Sequence, residues 1–478
     1  MDNNTKLSEC LSPAYPHAAG AMPGGPHRRI YSLTMSDGLI TGVLGDAKVR
    51  RPRLLSPLRE HLRDTMWFAP TAGLVGAMVL WVAAAELDSQ IVAAAQEDGD
   101  YDTIKSLMQI AEDTKVVIST IGSAMMTFIG VVFSISLVAV QMASGQFSPR
   151  VVRLYVRSRI TKITLTVFLA TFLFSLMTLT SFDSESDPRL LTNVPLIESI
   201  LAMAMVFLSL LLFVAYVNGT LRMMRISFVI DRIARESFRV AVKHPPEGAV
   251  DDERLGPATA RITHQGRAGV LRDVHIARVV RAARRHGVVL RLLPRIGDFV
   301  VPGTPVFTVH GGAAPSRSAL RYTFSVGVER TFHQDLGFGL RQLADIALRA
   351  LSPAVNDPTT AVQALDRIIQ ILASVAGYPL GALRHRDRRG VVRMVQPVPD
   401  WTALVDLGFA EIRGCAVGNP QVIRRMLAGL DDLLRLAPEK RREPLLRHRE
   451  LLAQAVERTV PEAADRAFAL LPDRQGIG

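Results

Sequence analysis

Long apolar runs separated by charged clusters dominate the first half of the chain, and shorter periodic patterns dominate the second. Thr65 to Ala85, Val116 to Pro149, Ile163 to Phe182 and Leu190 to Leu221 hold a single ionisable residue between them, Glu198. Each run reaches the ~20 residues that a helix needs to cross the hydrocarbon core of a bilayer, and a buried soluble helix rarely stays uncharged for so long. The pattern therefore predicts four membrane-spanning helices. A helical period continues beyond them through Ile226, Val229, Ile233 and Phe238 until Pro245 and Pro246 stop it, which predicts a rigid lever leaving the membrane.

The later patterns alternate between strand and helix. "RAGVLRDV" reads as a strand, "HIARVVRAARRHG" as a helix ending at Gly287, "VVLRLLPRIGDFVVPGTPVFTV" as two strands about a turn, and "LRYTFSVGV" as one strand more. Two amphipathic helices follow, with stripes at Phe338, Leu340, Leu343 and Ile346 and at Val362, Leu365, Ile368 and Leu372. Ser352-Pro353 stops the first. Asp357-Pro358 starts the second, with Asp at the N-cap and Pro at the first helical position. From Asp400 onward the chain reads as polar-faced helices that suit packing or oligomer contacts. The predicted fold is a membrane α-helical protein: four transmembrane helices, then a cytoplasmic α+β region with a small β-hairpin unit and a helical C-terminal part. The corresponding segments are a disordered tail (1–53), the spans with their helical extension (54–243), a β-rich subdomain (244–334) and a mainly helical subdomain (335–478).

Charge orients the spans. The net charge of +12 is carried almost wholly by arginine, with seven lysines among 56 basic residues. Sixteen Lys and Arg flank the spans on one side, between Arg50 and Arg63, Arg150 and Lys162, and Arg222 and Lys243. The two opposite loops hold only three and are acidic. The positive-inside rule then places both termini in the cytoplasm of a bacterial inner membrane. This location points the basic charge at the lipid bilayer and its anionic phospholipids, with no nucleic acid as partner. In "GQFSPRVVRLYVRSRITK", Ser148-Pro149 predicts a short helix on which Arg150, Arg153 and Arg157 repeat at i, i+3 and i+7. They are candidate headgroup or phosphate contacts beside the plain topological reading.

Polar residues inside the spans are few. Ser119, Gly122, Ser123, Thr127, Gly130, Ser134 and Ser136 place small or hydroxyl groups along the second span, where helices approach and hydrogen-bond. Glu198, the lone intramembrane carboxylate, is expected near the outer end of the fourth span, within reach of water. Gln141 lies near the inner end of the second. Gln334, Asp335, Asn356 and Asp357 flank the two later helices and are a candidate interface or switch corner, beside the plain reading of Asn356 and Asp357 as a helix cap.

"MWFAP", "VAVQMASGQFSPRVV", "GDFVVPGTP" and "RTFHQDLGFGLRQLADIALRALSPAVNDPTTA" carry a resemblance. From about Leu54 to the C terminus the chain resembles the bacterial integral membrane family known as domain of unknown function 2254. The resemblance implies a multi-span inner-membrane protein with a soluble C-terminal part, and brings no substrate, cofactor or catalytic residue. The first fifty residues lie outside that pattern.

Enzymatic signals fail on context. "HRD" at His385 to Asp387 lacks the other kinase motifs. "GFG" at Gly337 to Gly339 has no third glycine and no Rossmann strand before it. "GDFVVPGTPVFTV" is similar to half of a lipoyl or biotinyl carrier hairpin, but no lysine occurs between Lys243 and Lys440 to be modified. Cys10 and Cys415 have no partner at metal-ligand spacing. The expected cofactor set is none, and the protein is read as no enzyme. Two classes remain: a channel-like or transport-associated protein, expected as a homo-oligomer around a path for a small solute or ion, and a membrane-anchored sensor or scaffold without such a path.

Overall fold

A computed structural model describes residues 65, 67–99, 101–146, 158–182, 194–243, 255–316, 318–320 and 322–475. The predicted tail and the predicted helix carrying Arg150, Arg153 and Arg157 lie outside the described residues. Among the described residues, four helices are long and apolar enough to cross a membrane: α1 (Phe68–Glu97), α2 (Tyr101–Gln146), α3 (Arg159–Thr180) and α4 (Leu196–Met224). α1 runs past Ala85 to Glu97, because the alanine-rich segment "AELDSQIVAAAQE" has high helix propensity although it carries charge. α3 is the centre of the bundle and packs on the other three. Its most apolar stretch is 39% buried, against 17% for each of the others. Gly73 permits the close approach of α1, since a Cβ there would stand 2.3 Å from Thr166 Cγ2. Phe128, Phe168 and Phe213 fill the middle in mutual ring contact, with Tyr216 buried beside them.

The continuous helix expected after the fourth apolar run is interrupted. Arg225 takes an extended backbone (ψ 119°) between α4 and α5 (Ile226–Lys243). α4 is apolar all round, whereas α5 has one apolar face, and a straight helix would not aim that face where it is needed. Val229, Ile230, Ile233 and Phe238 of α5 instead join the core of the following α/β region. The contact is close: a Cβ on Gly339 would overlap Ser237 Oγ, at 1.7 Å. The glycine of "GFG" therefore serves helix packing.

Eight strands follow among the described residues. β1 (Ala258–Thr263), β2 (Gly269–Val274), β3 (Val289–Leu292), β4 (Phe299–Val300), β5 (Pro305–His310) and β6 (Phe324–Gly327) are joined later in the chain by β7 (Ala382–Arg386) and β8 (Val392–Pro397). A five-stranded sheet has the order β1-β5-β3-β8-β7, antiparallel except for the β3–β8 pair, and a three-stranded sheet has the order β4-β2-β6. The predicted hairpin is the β3–β5 pair, in which Leu292 stands opposite Phe307. Its turn is closed by Asp298, which accepts from Arg295 N at 2.8 Å, and by Gly297 at φ 101°. β1, β4, β7 and β8 were not predicted; β4 falls inside the expected turn, and the last two complete the five-stranded sheet from within the stretch expected to be helical. Helix α6 (Ile276–Arg285) packs on β3, β7 and β8.

The remaining helices are α7 (Leu336–Ala350), α8 (Pro358–Val375), α9 (Trp401–Ala416), α10 (Pro420–Leu436), α11 (Arg442–Thr459) and α12 (Ala463–Ala469). Leu343, Leu365, Ile368, Leu372, Phe409 and Met426 form their common core with α5.

Candidate functional site

Within the apolar bundle, α2 has two unlike faces. Ile118, Met125, Ile129, Val132 and Ala139 are buried against the bundle. Ser119, Ser123, Thr127, Gly130, Ser134 and Gln141 are all exposed. At 3.6 residues per turn these six fall on one stripe about 80° wide. Ser136 belongs to the inner face, where its hydroxyl lies 2.6 Å from that of Tyr216, which donates to Val132 O at 3.1 Å.

Glu198 does not reach water as the sequence suggested; it is fully buried. Trp81 Nε1 donates to its Oε2 at 3.0 Å. Asp88, also buried, accepts from Ile197 N at 2.8 Å and Glu198 N at 3.1 Å. The reason is the length of α1, which carries Asp88 across the start of α4. A carboxylate from one helix thus satisfies the orphan N–H groups at the N-terminus of another.

The four proposed corner residues are not brought together. Gln334 and Asp335 precede α7, whereas Asn356 and Asp357 follow it, and 15 residues of helix separate the pairs by about 22 Å. Asp357 is a cap: its Oδ1 accepts from Thr360 N at 3.0 Å and its Oδ2 from the Thr360 hydroxyl. Exposed Asn356 stands at φ 45°, a left-handed conformation that asparagine tolerates, and lets Asp357 N reach Ala350 O at 2.8 Å. Asp335 receives two bonds from Arg330, at 2.8 and 3.0 Å. Burial pushes its carboxyl up from the ordinary range, and the guanidinium opposes that shift. Gln334 grips Val274 like a neighbouring strand, accepting from its N at 3.1 Å and donating to its O at 2.9 Å.

Gln334 also borders a cleft of about 700 Å³ between α6 and the β7–β8 turn. Val274, Ile276, Ala277 and Val280 supply apolar lining; Arg281 and Arg284 come from α6, Arg386 and Arg388 from the end of β7 and its turn. His333 and His385 also line it. His333 Nδ1 stands 3.2 Å from Asp273 Oδ1, and His385 Nε2 is 3.1 Å from Gln396 Oε1. The one carboxylate in the lining, Asp387, is already engaged. Its Oδ1 accepts from Arg389 N (2.8 Å) and Val391 N (3.2 Å), and its Oδ2 from Arg393 Nε (3.0 Å). The hydrogen bond from Arg393 holds its carboxyl below the usual range. The cleft can accommodate an anion. Among the described residues no group of three or more His, Cys, Asp or Glu could hold a metal ion. Sequence reasoning passed over these arginines, although "RVVRAARR" and "RHRDRR" are strongly basic stretches outside the span flanks.

A family model described as "Predicted membrane protein (DUF2254)" matches residues 63–432. The chain is also similar to an uncharacterized protein of Mycobacterium bovis and to one of Mycobacterium tuberculosis. Each is 27% identical over 427 residues, covering 86% of this chain and 80% of the relative. No solved structure matches it.

Proposed function

The chain belongs to the DUF2254 family of predicted membrane proteins, and from that premise we propose that it is an oligomeric, channel-like or transport-associated protein of the bacterial inner membrane, gated by a cytoplasmic α/β region. The exposed stripe on α2 carries this reading. A face that meets only lipid tails has no use for three serines, a threonine and a glutamine carboxamide, whereas a face shared between copies can use them as hydrogen-bonding groups or as the lining of a path. The interior of one copy is filled by Phe128, Phe168, Phe213 and Tyr216, so the path would run between copies. α5, joined to α4 through Arg225 and packed on α7 and α8, would couple the α/β region to the bundle.

A second reading, a sensor or scaffold without conduction, is favoured by the same filled interior together with the basic cleft. Planar-bilayer recording of the purified protein separates the two. The channel reading expects discrete conductance under voltage, altered by Gln141→Leu. A silent bilayer from folded, oligomeric protein would overturn it in favour of the sensor.

A further inference from the structure

The basic cleft is built in a way that a merely solvated surface does not require. Arg281 and Arg284 stand three apart on α6, where like charges repel along one helix face. Arg386 ends β7 and Arg388 stands in the turn after it. The fold brings both pairs to one cavity with an apolar lining. Among the described residues, Arg281, Arg284 and Arg388 make no ion pair, and the one carboxylate in the lining, Asp387, is committed to Arg393 and to its own turn. Three cations gathered without an ion-pair partner cost stability that an anion would restore. A planar guanidinium fits phosphate oxygens two at a time, and the cavity volume lies in the range of small-molecule sites.

We propose that this cleft binds a soluble small molecule bearing phosphate groups and an apolar or aromatic portion, the phosphates between the α6 and β7 arginines and the remainder against Val274, Ile276 and Val280. The site stands whether or not the protein conducts, because it rests on the α/β region alone.

The test is calorimetric titration of the full chain in detergent with adenosine diphosphate, pyrophosphate and adenosine. Arg281→Gln/Arg284→Gln and Arg386→Gln/Arg388→Gln variants are titrated beside it, with Arg285→Gln, on the same helix but outside the lining, as the control. Adenosine diphosphate should bind more tightly than pyrophosphate, and adenosine should not bind measurably. Each double variant should lose at least tenfold in affinity, with the control within twofold and the melting temperature of all variants preserved. Absence of binding by either phosphate compound, or equal loss in the control, overturns the proposal. So does binding confined to phosphatidylglycerol vesicles, which would assign the arginines to lipid headgroups.

Discussion

The apolar bundle and the α/β region sort their residues in opposite directions. In the bundle, Val75, Phe207, Leu211 and Val214 are more than half exposed, while Asp88, Thr164, Thr171, Ser175, Thr178 and Glu198 are buried. In the α/β region, Leu343, Leu365 and Leu372 are buried, and most charged side chains keep some exposure, as does Arg341, which binds Glu411 and Asp345. Water drives the second arrangement, because apolar area removed from water stabilises the fold. It gives no reason for the first. There, helices are held by close contact at small residues and by hydrogen bonds between them, such as Thr171 to Ser209 at 3.1 Å.

Truncating a leucine in each region gives the largest contrast. Leu365→Ala, in the fully buried core, should cost about 2–5 kcal/mol, whereas Leu211→Ala, on the bundle surface, should cost under about 0.5 kcal/mol. Thermal melts in detergent read both, and equal losses would break the comparison. Two N-terminal caps come next. Asp88→Ala removes a buried carboxylate that reaches between helices and should cost about 2 kcal/mol; Asp357→Ala removes a local cap and should cost about 1 kcal/mol. If Asp357→Ala proved the more damaging in the same melts, the weight given to hydrogen bonding between bundle helices would be misplaced.

The smallest effect is a pH dependence confined to the α/β region. His448 is buried against Asp406, its Nε2 2.8 Å from Oδ1, and burial pushes its imidazole below the ordinary value of about 6.5. The unfolded chain then binds the proton more readily, so stability is fully present above about pH 6.5 and falls as pH drops through the window down to the lowered value. His448→Gln should flatten that part of the profile of melting temperature against pH. An unchanged slope would show that another group titrates there.

How much was legible in the sequence follows from how local each signal is. The four apolar helices, the hairpin of β3 and β5 and the Asp357-Pro358 cap were readable because each depends on a run of neighbouring residues. β7 and β8 were not, since "ALRHR" and "VRMVQP" gain their strand character by pairing with each other and with β3, about a hundred residues earlier. The burial of Glu198 also escaped, because its partners Trp81 and Asp88 come from α1.

By itself, the sequence determined which segments are apolar enough to form long helices, where charge concentrates, and where helices start and stop. Those properties reside in side-chain chemistry at spacings of a few residues. Only the tertiary structure decided that α4 and α5 part at Arg225, that Ser134 and Gln141 face outward while Glu198 is enclosed, and that arginines a hundred residues apart meet in one cleft. Burial and charge convergence are properties of what lies opposite a residue, and packing alone settles that.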